Sequence, residues 1–108
     1  MQDEAQALAR RAAARLTHLD QTLPMRVEAV LAGAPPGAGG RYDPATAIAF
    51  ASFLVSAAAL AWKIWQDTRP PKPEVARTVR VELVVPEAIT DAQCDAAIAA
   101  VVRELPDP

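Results

Sequence analysis

The sequence predicts a mainly α protein. It has N-terminal helices, a long central Ala/Ser-rich helix that is a candidate transmembrane segment, and a C-terminal unit of one strand and one helix. Three observations carry this. Apolar residues recur at helical spacing through residues 3–31, nineteen consecutive residues from Pro44 to Trp62 carry no charge, and within Val75–Val85 the residues Val79, Val81, Leu83 and Val85 alternate with Arg80 and Glu82. With 108 residues the chain has room for one small domain. Its expected order is an amphipathic helical segment 1–32, a Gly/Pro loop 33–43, a central hydrophobic helix 44–67, a Pro-rich linker 68–74 and a strand–helix unit 75–105.

The N-terminal stripe consists of Leu8, Ala12, Leu16, Leu19, Leu23, Val27 and Val30, at steps of three and four that keep one face apolar. Pro24 interrupts it, because an internal proline removes a hydrogen bond and clashes with the preceding turn. A helix from about Asp3 to Gln21 is therefore expected, then a second from Leu23 with Thr22 as N-cap. Residues 25–31 also alternate as a strand would, and the unbroken 3.6 period favours helix. Gly33 is placed as a helix C-cap. The glycines of GAPPGAGGRY lack the Lys-Ser/Thr and preceding strand of a phosphate loop.

Asp43 and Pro44 open the central helix as N-cap and first-turn proline. The helix is sorted by size. Ala45, Ala49, Ser52, Ser56, Ala59 and Lys63 form a seam of small side chains ending in a cation, opposite Phe50, Phe53, Leu54, Leu60, Ile64 and Trp65. In a bilayer such a seam lets helices approach closely and associate. In a soluble protein the Phe/Leu face enters the core and the seam meets solvent. Trp62 and Trp65 beside Lys63 resemble an interfacial belt. Five basic residues follow or end the apolar run (Lys63, Arg69, Lys72, Arg77, Arg80) against Arg26 and Arg41 before it, which places the C-terminus in the cytoplasm.

The expected strand has Val79, Val81, Leu83 and Val85 on one face and Arg80 and Glu82 on the other. Residues Val79, Arg80, Val81, Glu82 and Leu83 would form a strand-pairing edge. Pairing occurs across chains by strand addition, or with residues 25–31, where Arg26 would face Glu82 and Glu28 would face Arg80. Thr90 and Gln93 form a capping-box signature for the last helix, whose apolar face is Cys94, Ile98, Val101, Val102 and Leu105.

Chemistry-bearing constellations are missing. His18 stands alone on a helix, the carboxylates are scattered, and Cys94 reads as a small buried hydrophobe. No catalytic, cofactor-binding or metal-ligating residue is assigned, and no cofactor. A net charge of −2, from 11 basic and 13 acidic residues, leaves no footprint for nucleic acid. One cysteine allows no internal disulfide. The polar, acidic start Met1 to Glu4 predicts no secretory signal.

Several segments resemble a family of short uncharacterised bacterial proteins associated with conflict or defence gene clusters. They are Ala49 to Ala57, Leu60 to Asp67, Ala76 to Leu83 and Thr90 to Asp95, within residues 45–105. The resemblance implies a partner role without catalytic residues. The expected protein is thus a non-enzymatic, self-associating small membrane protein, a membrane-acting or adaptor component of a bacterial defence system. Its place is the bacterial inner membrane, its partners further copies of itself and a protein bound by the C-terminal unit. The alternative is a cytoplasmic, soluble oligomeric adaptor that recruits a partner by β-strand addition.

Overall fold

A computed structural model describes residues 2–33 and 45–106 of the chain, and these contain five helices and no strand. They are α1 (Gln2–Arg15), α2 (Leu23–Leu31), α3 (Ala45–Thr68), α4 (Lys72–Glu82) and α5 (Asp91–Glu104). Helices α1, α3 and α5 pack on one another as a three-helix core. Helix α2 covers the α1–α3 edge and α4 covers the α3–α5 edge, so α3 touches all four others.

Helix α1 buries Leu8, Ala9, Ala12 and Ala13, with Leu16 buried just beyond its end. It stops at Arg15, six residues short of the expected end. The amides of Leu19 and Asp20 both bond to the Leu16 carbonyl, which tightens the chain into a turn. Leu19 is consequently half exposed and leaves the stripe. The turn prepares α2: one Asp20 carboxylate oxygen accepts from the Thr22 amide at 2.9 Å and the Thr22 hydroxyl at 2.6 Å. Thr22 is the N-cap by position, but its own side chain makes no capping bond. Pro24 sits in the first helical turn, where its missing N–H costs nothing. Residues 25–31 are helical, with Leu23 and Val27 buried, and the strand alternative for them falls. Gly33 follows the C-cap Ala32 at φ 77, a left-handed conformation that glycine adopts without strain. The loop beyond Gly33, and with it the capping by Asp43 and Pro44, lies outside the described residues.

In α3 the inward face holds Phe50, Ala51, Phe53, Leu54, Ala57, Ala58 and Ala61, all buried. The four alanines let neighbouring helices approach without bulky knobs between them. Helix α5 matches this with buried Ala97 and Ala100 beside Cys94, Ile98, Val101 and Val102, and Leu105 is buried just beyond its end. Its capping box is complete. The Gln93 amide donates to Thr90 Oγ at 3.1 Å, and the Thr90 amide donates to the Gln93 carboxamide at 2.9 Å.

The expected strand is a helix. Residues Val79 to Glu82 of the proposed pairing edge lie in α4, and Leu83 is its C-cap. Two reasons account for this. A lone strand leaves its amides and carbonyls without partners, whereas a helix satisfies them internally. The i, i+4 pair Val75 and Val79 also fits the α3–α5 edge and is fully buried, while Val81 and Val84 are 83% and 87% exposed. The alternation was thus a by-product of a second, helical period in the same valines. The linker is correspondingly shorter, because Lys72 and Pro73 already form the first turn of α4, where proline is tolerated. The anticipated cross-strand charge pairs are absent too. Glu28 accepts from Arg10 at 2.6 Å, and Arg80 pairs with Asp91 at 3.4 Å and Asp95 at 3.3 Å. Because alanine is the better helix former at an exposed helical position, Val81→Ala is expected to raise stability by about 0.5 kcal/mol. A chemical-denaturation midpoint that falls instead would favour a strand there.

Helices α1 and α5 are clamped at one end. Glu104 accepts hydrogen bonds from Arg15 and, at 3.2 Å, from Arg11. The Arg15 bond is the main cause that holds the Glu104 carboxyl below the usual range. A lowered carboxylate pKa favours the folded state above the unfolded value, and that contribution disappears as pH falls through the folded value.

Candidate functional site

The titratable groups of the interior are structural in their geometry. Cys94 is fully buried between α4 and α5. Burial pushes its thiol pKa up, against the opposing effect of the Arg80 guanidinium, whose Nη1 donates to Sγ at 3.2 Å. A thiol held protonated and sealed from solvent is a poor nucleophile. Glu104 is committed to two arginines. His18 is exposed in the turn between α1 and α2. Among the described residues no three His, Cys, Asp or Glu side chains gather as a metal-ligand set.

What the fold does present is the outward face of α3. Because Phe50, Phe53 and Leu54 turn inward, the opposite side of the helix must face out. Ser56, Ala59 and Lys63 are exposed there, and Ala49 and Ser52 are half-buried. The side chain of Ala45 lies outside the described residues. Beside this seam, Val55 and Ala59 of α3 meet Ala5 and Gln6 of α1 and Leu31 at the end of α2. Together they line a mostly apolar groove of about 190 Å³. That is below the ~300 Å³ at which ligand pockets begin, and suits one or two inserted side chains better than a small molecule. The seam members were visible in the sequence from their 3.6 period. The contributions of Ala5, Gln6 and Leu31 were not, since only the packing of α1 and α2 brings them to Ala59.

A second surface lies at the C-terminal end of α3. Trp62 and Trp65 stack with ring centroids 5.2 Å apart, and the Arg69 guanidinium lies 4.8 Å above the Trp65 ring. Arg69 reaches that position from a left-handed backbone, φ 46, unusual for a residue with a side chain. Its amide closes α3 by bonding to the Trp65 carbonyl at 2.9 Å. The two tryptophans at one end of the helix were legible in the sequence as a belt-like pair beside Lys63. Arg69's return over the ring was not, because Pro70 and Pro71 suggested an extended arm.

No known protein family, characterised protein or solved structure matches this chain. The described residues include one helix, over Ala49–Thr68, that is long and apolar enough to cross a membrane, with 39% of it buried inside the bundle.

Proposed function

We propose that this protein is a non-enzymatic helical adaptor that self-associates through the outward face of α3. The observation that supports it is the sorting of α3. Phe50, Phe53 and Leu54 are consumed by the core, while Ser56, Ala59 and Lys63 stay exposed beside the groove formed with Ala5, Gln6 and Leu31. Small side chains next to a shallow apolar groove suit close approach of a second helix, whose apolar side chains enter the groove. Recruitment by β-strand addition is replaced by helix docking, since residues 72–82 are helical.

Light scattering over a concentration series tests this. The wild-type chain is expected to form oligomers, and Ser56→Glu with Ala59→Glu is expected to weaken association tenfold or more, about 1.4 kcal/mol. Both positions are exposed, so the melting temperature of the monomer should barely move. A wild-type chain that stays monomeric at every concentration would sink the reading.

A second reading has its own support in the span-length apolar stretch of α3. In it the protein sits in the bacterial inner membrane with its C-terminus in the cytoplasm. The four covering helices would then have to release Phe50, Phe53 and Leu54 to lipid. Carbonate-resistant pelleting with membranes would favour it, and full recovery without detergent would remove it.

A further inference from the structure

Val81 and Val84 are the most exposed of the large apolar side chains, and they stand three residues apart. Both point away from the core for local reasons. In α4 Val75 and Val79 are buried, and Val81, two residues after Val79, falls on the opposite side of the helix. The C-cap Leu83 has an extended backbone, and both Leu83 and Val85 lean on the core, so Val84 between them turns outward. Three residues of chain span at most about 10 Å, which keeps the two valines together as an apolar knob at the end of α4. Glu82 lies between them and Glu87 follows, both exposed.

The groove lined by Ala5, Gln6, Leu31, Val55 and Ala59 is the complement of this knob. It lies on the flank where α2 covers the α1–α3 edge, whereas the knob belongs to the flank where α4 covers the α3–α5 edge. Lys63 stands beside the groove, exposed and one helical turn beyond Ala59 on the same face of α3. Among the described residues Lys63 has no carboxylate partner and neither Glu82 nor Glu87 has a cationic one, unlike Arg80, which is held by Asp91 and Asp95. Glu4 adjoins Ala5 at the groove, and Arg77 stands one turn before Val81 at the knob, both exposed. Each apolar surface thus has charges of both signs beside it, open to pairing with those of the other.

We propose that the knob of one copy, Val81 and Val84, enters the groove of a second copy, with Glu82 set against Lys63. This rests on the self-association reading and names the side chains that enter. Two valines suit a groove with room for one or two inserted side chains. The contact joins two different surfaces, so a pair formed this way leaves one groove and one knob open, and association continues from copy to copy unless a ring closes.

Complementation between two variants tests it. Val81→Ser with Val84→Ser removes the knob, and Ser56→Glu with Ala59→Glu blocks the groove. All four positions are exposed, so both chains should keep the wild-type circular dichroism. In sedimentation velocity each variant alone should associate at least about tenfold more weakly than the wild type, because the valine surface or its receptor is gone. Mixed in equal amounts they should form a pair of one of each that grows no further, since the first retains a groove and the second a knob. Glu82→Lys should weaken association about threefold, the scale of an exposed ion pair, and Lys63→Glu in the same chain should restore it. A knob variant that associates as the wild type does, variants that stay apart when mixed, or a charge-swapped chain weaker than Glu82→Lys alone would each overturn the inference and leave association through the seam in place. A wild-type chain that stays monomeric removes both.

Discussion

Leu54→Ala is expected to destabilise the protein by about 3–5 kcal/mol, the range for truncating a fully buried leucine. Leu54 is among the largest side chains with no exposure, on the one helix that touches every other. Its neighbours along the inward face, Phe50, Ala57, Ala58 and Ala61, belong to α3 itself. They are carried on one rigid helix and have little freedom to collapse into the space. A loss of this size is a large part of the roughly 5–15 kcal/mol that domains of this class possess. Urea denaturation followed by circular dichroism measures it. A loss below about 1 kcal/mol would show that Leu54 faces outward, and would return the Phe/Leu face of α3 to lipid.

Ala76→Pro is expected to cost about 3 kcal/mol or more by breaking α4 near its start. The amide of residue 76 is the second in α4 to be bonded in the helical pattern, after Val75 to the Pro71 carbonyl. Proline there removes that bond and presses on the turn below. Pro73, three residues earlier, is harmless only because its amide has no helical partner to lose. The disruption should also release Val75 and Val79 from the core, so near-ultraviolet signals from Trp62 and Trp65 should broaden with the loss of helix. If residues 75–85 formed an exposed edge strand, the same substitution would leave the monomer's melting temperature almost unchanged.

Helices with a single strong period were legible in the sequence. The stripe from Leu8 to Val27, the sorting of α3 and the face Cys94 to Leu105 all follow from spacing alone, and Thr90 with Gln93 announced a capping box. The C-terminal strand was not legible as a helix, because Val75 to Val85 supports both periods at once. Period two uses Val79, Val81, Leu83 and Val85, and period 3.6 uses Val75 and Val79. Only the presence of an α3–α5 groove to receive the second pair decides between them, and that groove is a tertiary fact. The end of α1 was missed for a related reason. Leu16 and Leu19 continue the apolar spacing, but Asp20 and Thr22 compete for the backbone and open a turn. On the α3 face the seam was readable, whereas the groove beside it required α1 and α2 to be in place.

The clamp between α1 and α5 has a consequence for how the chain comes together. Glu104 lies 93 residues from Arg11 and 89 from Arg15, so the contact closes a loop almost as long as the domain. Closing it carries the entropy penalty of a distant encounter, and contacts of such separation slow folding. A nascent chain can form the α1–α2 hairpin and lay it on α3 early. The surfaces of Leu8 and Ala12, and of Leu54 and Ala58, cannot all be covered until α5 emerges. Through that interval the apolar helix α3 is at its stickiest, and whatever captures it first, α5 or another apolar surface, sets the fate of the molecule.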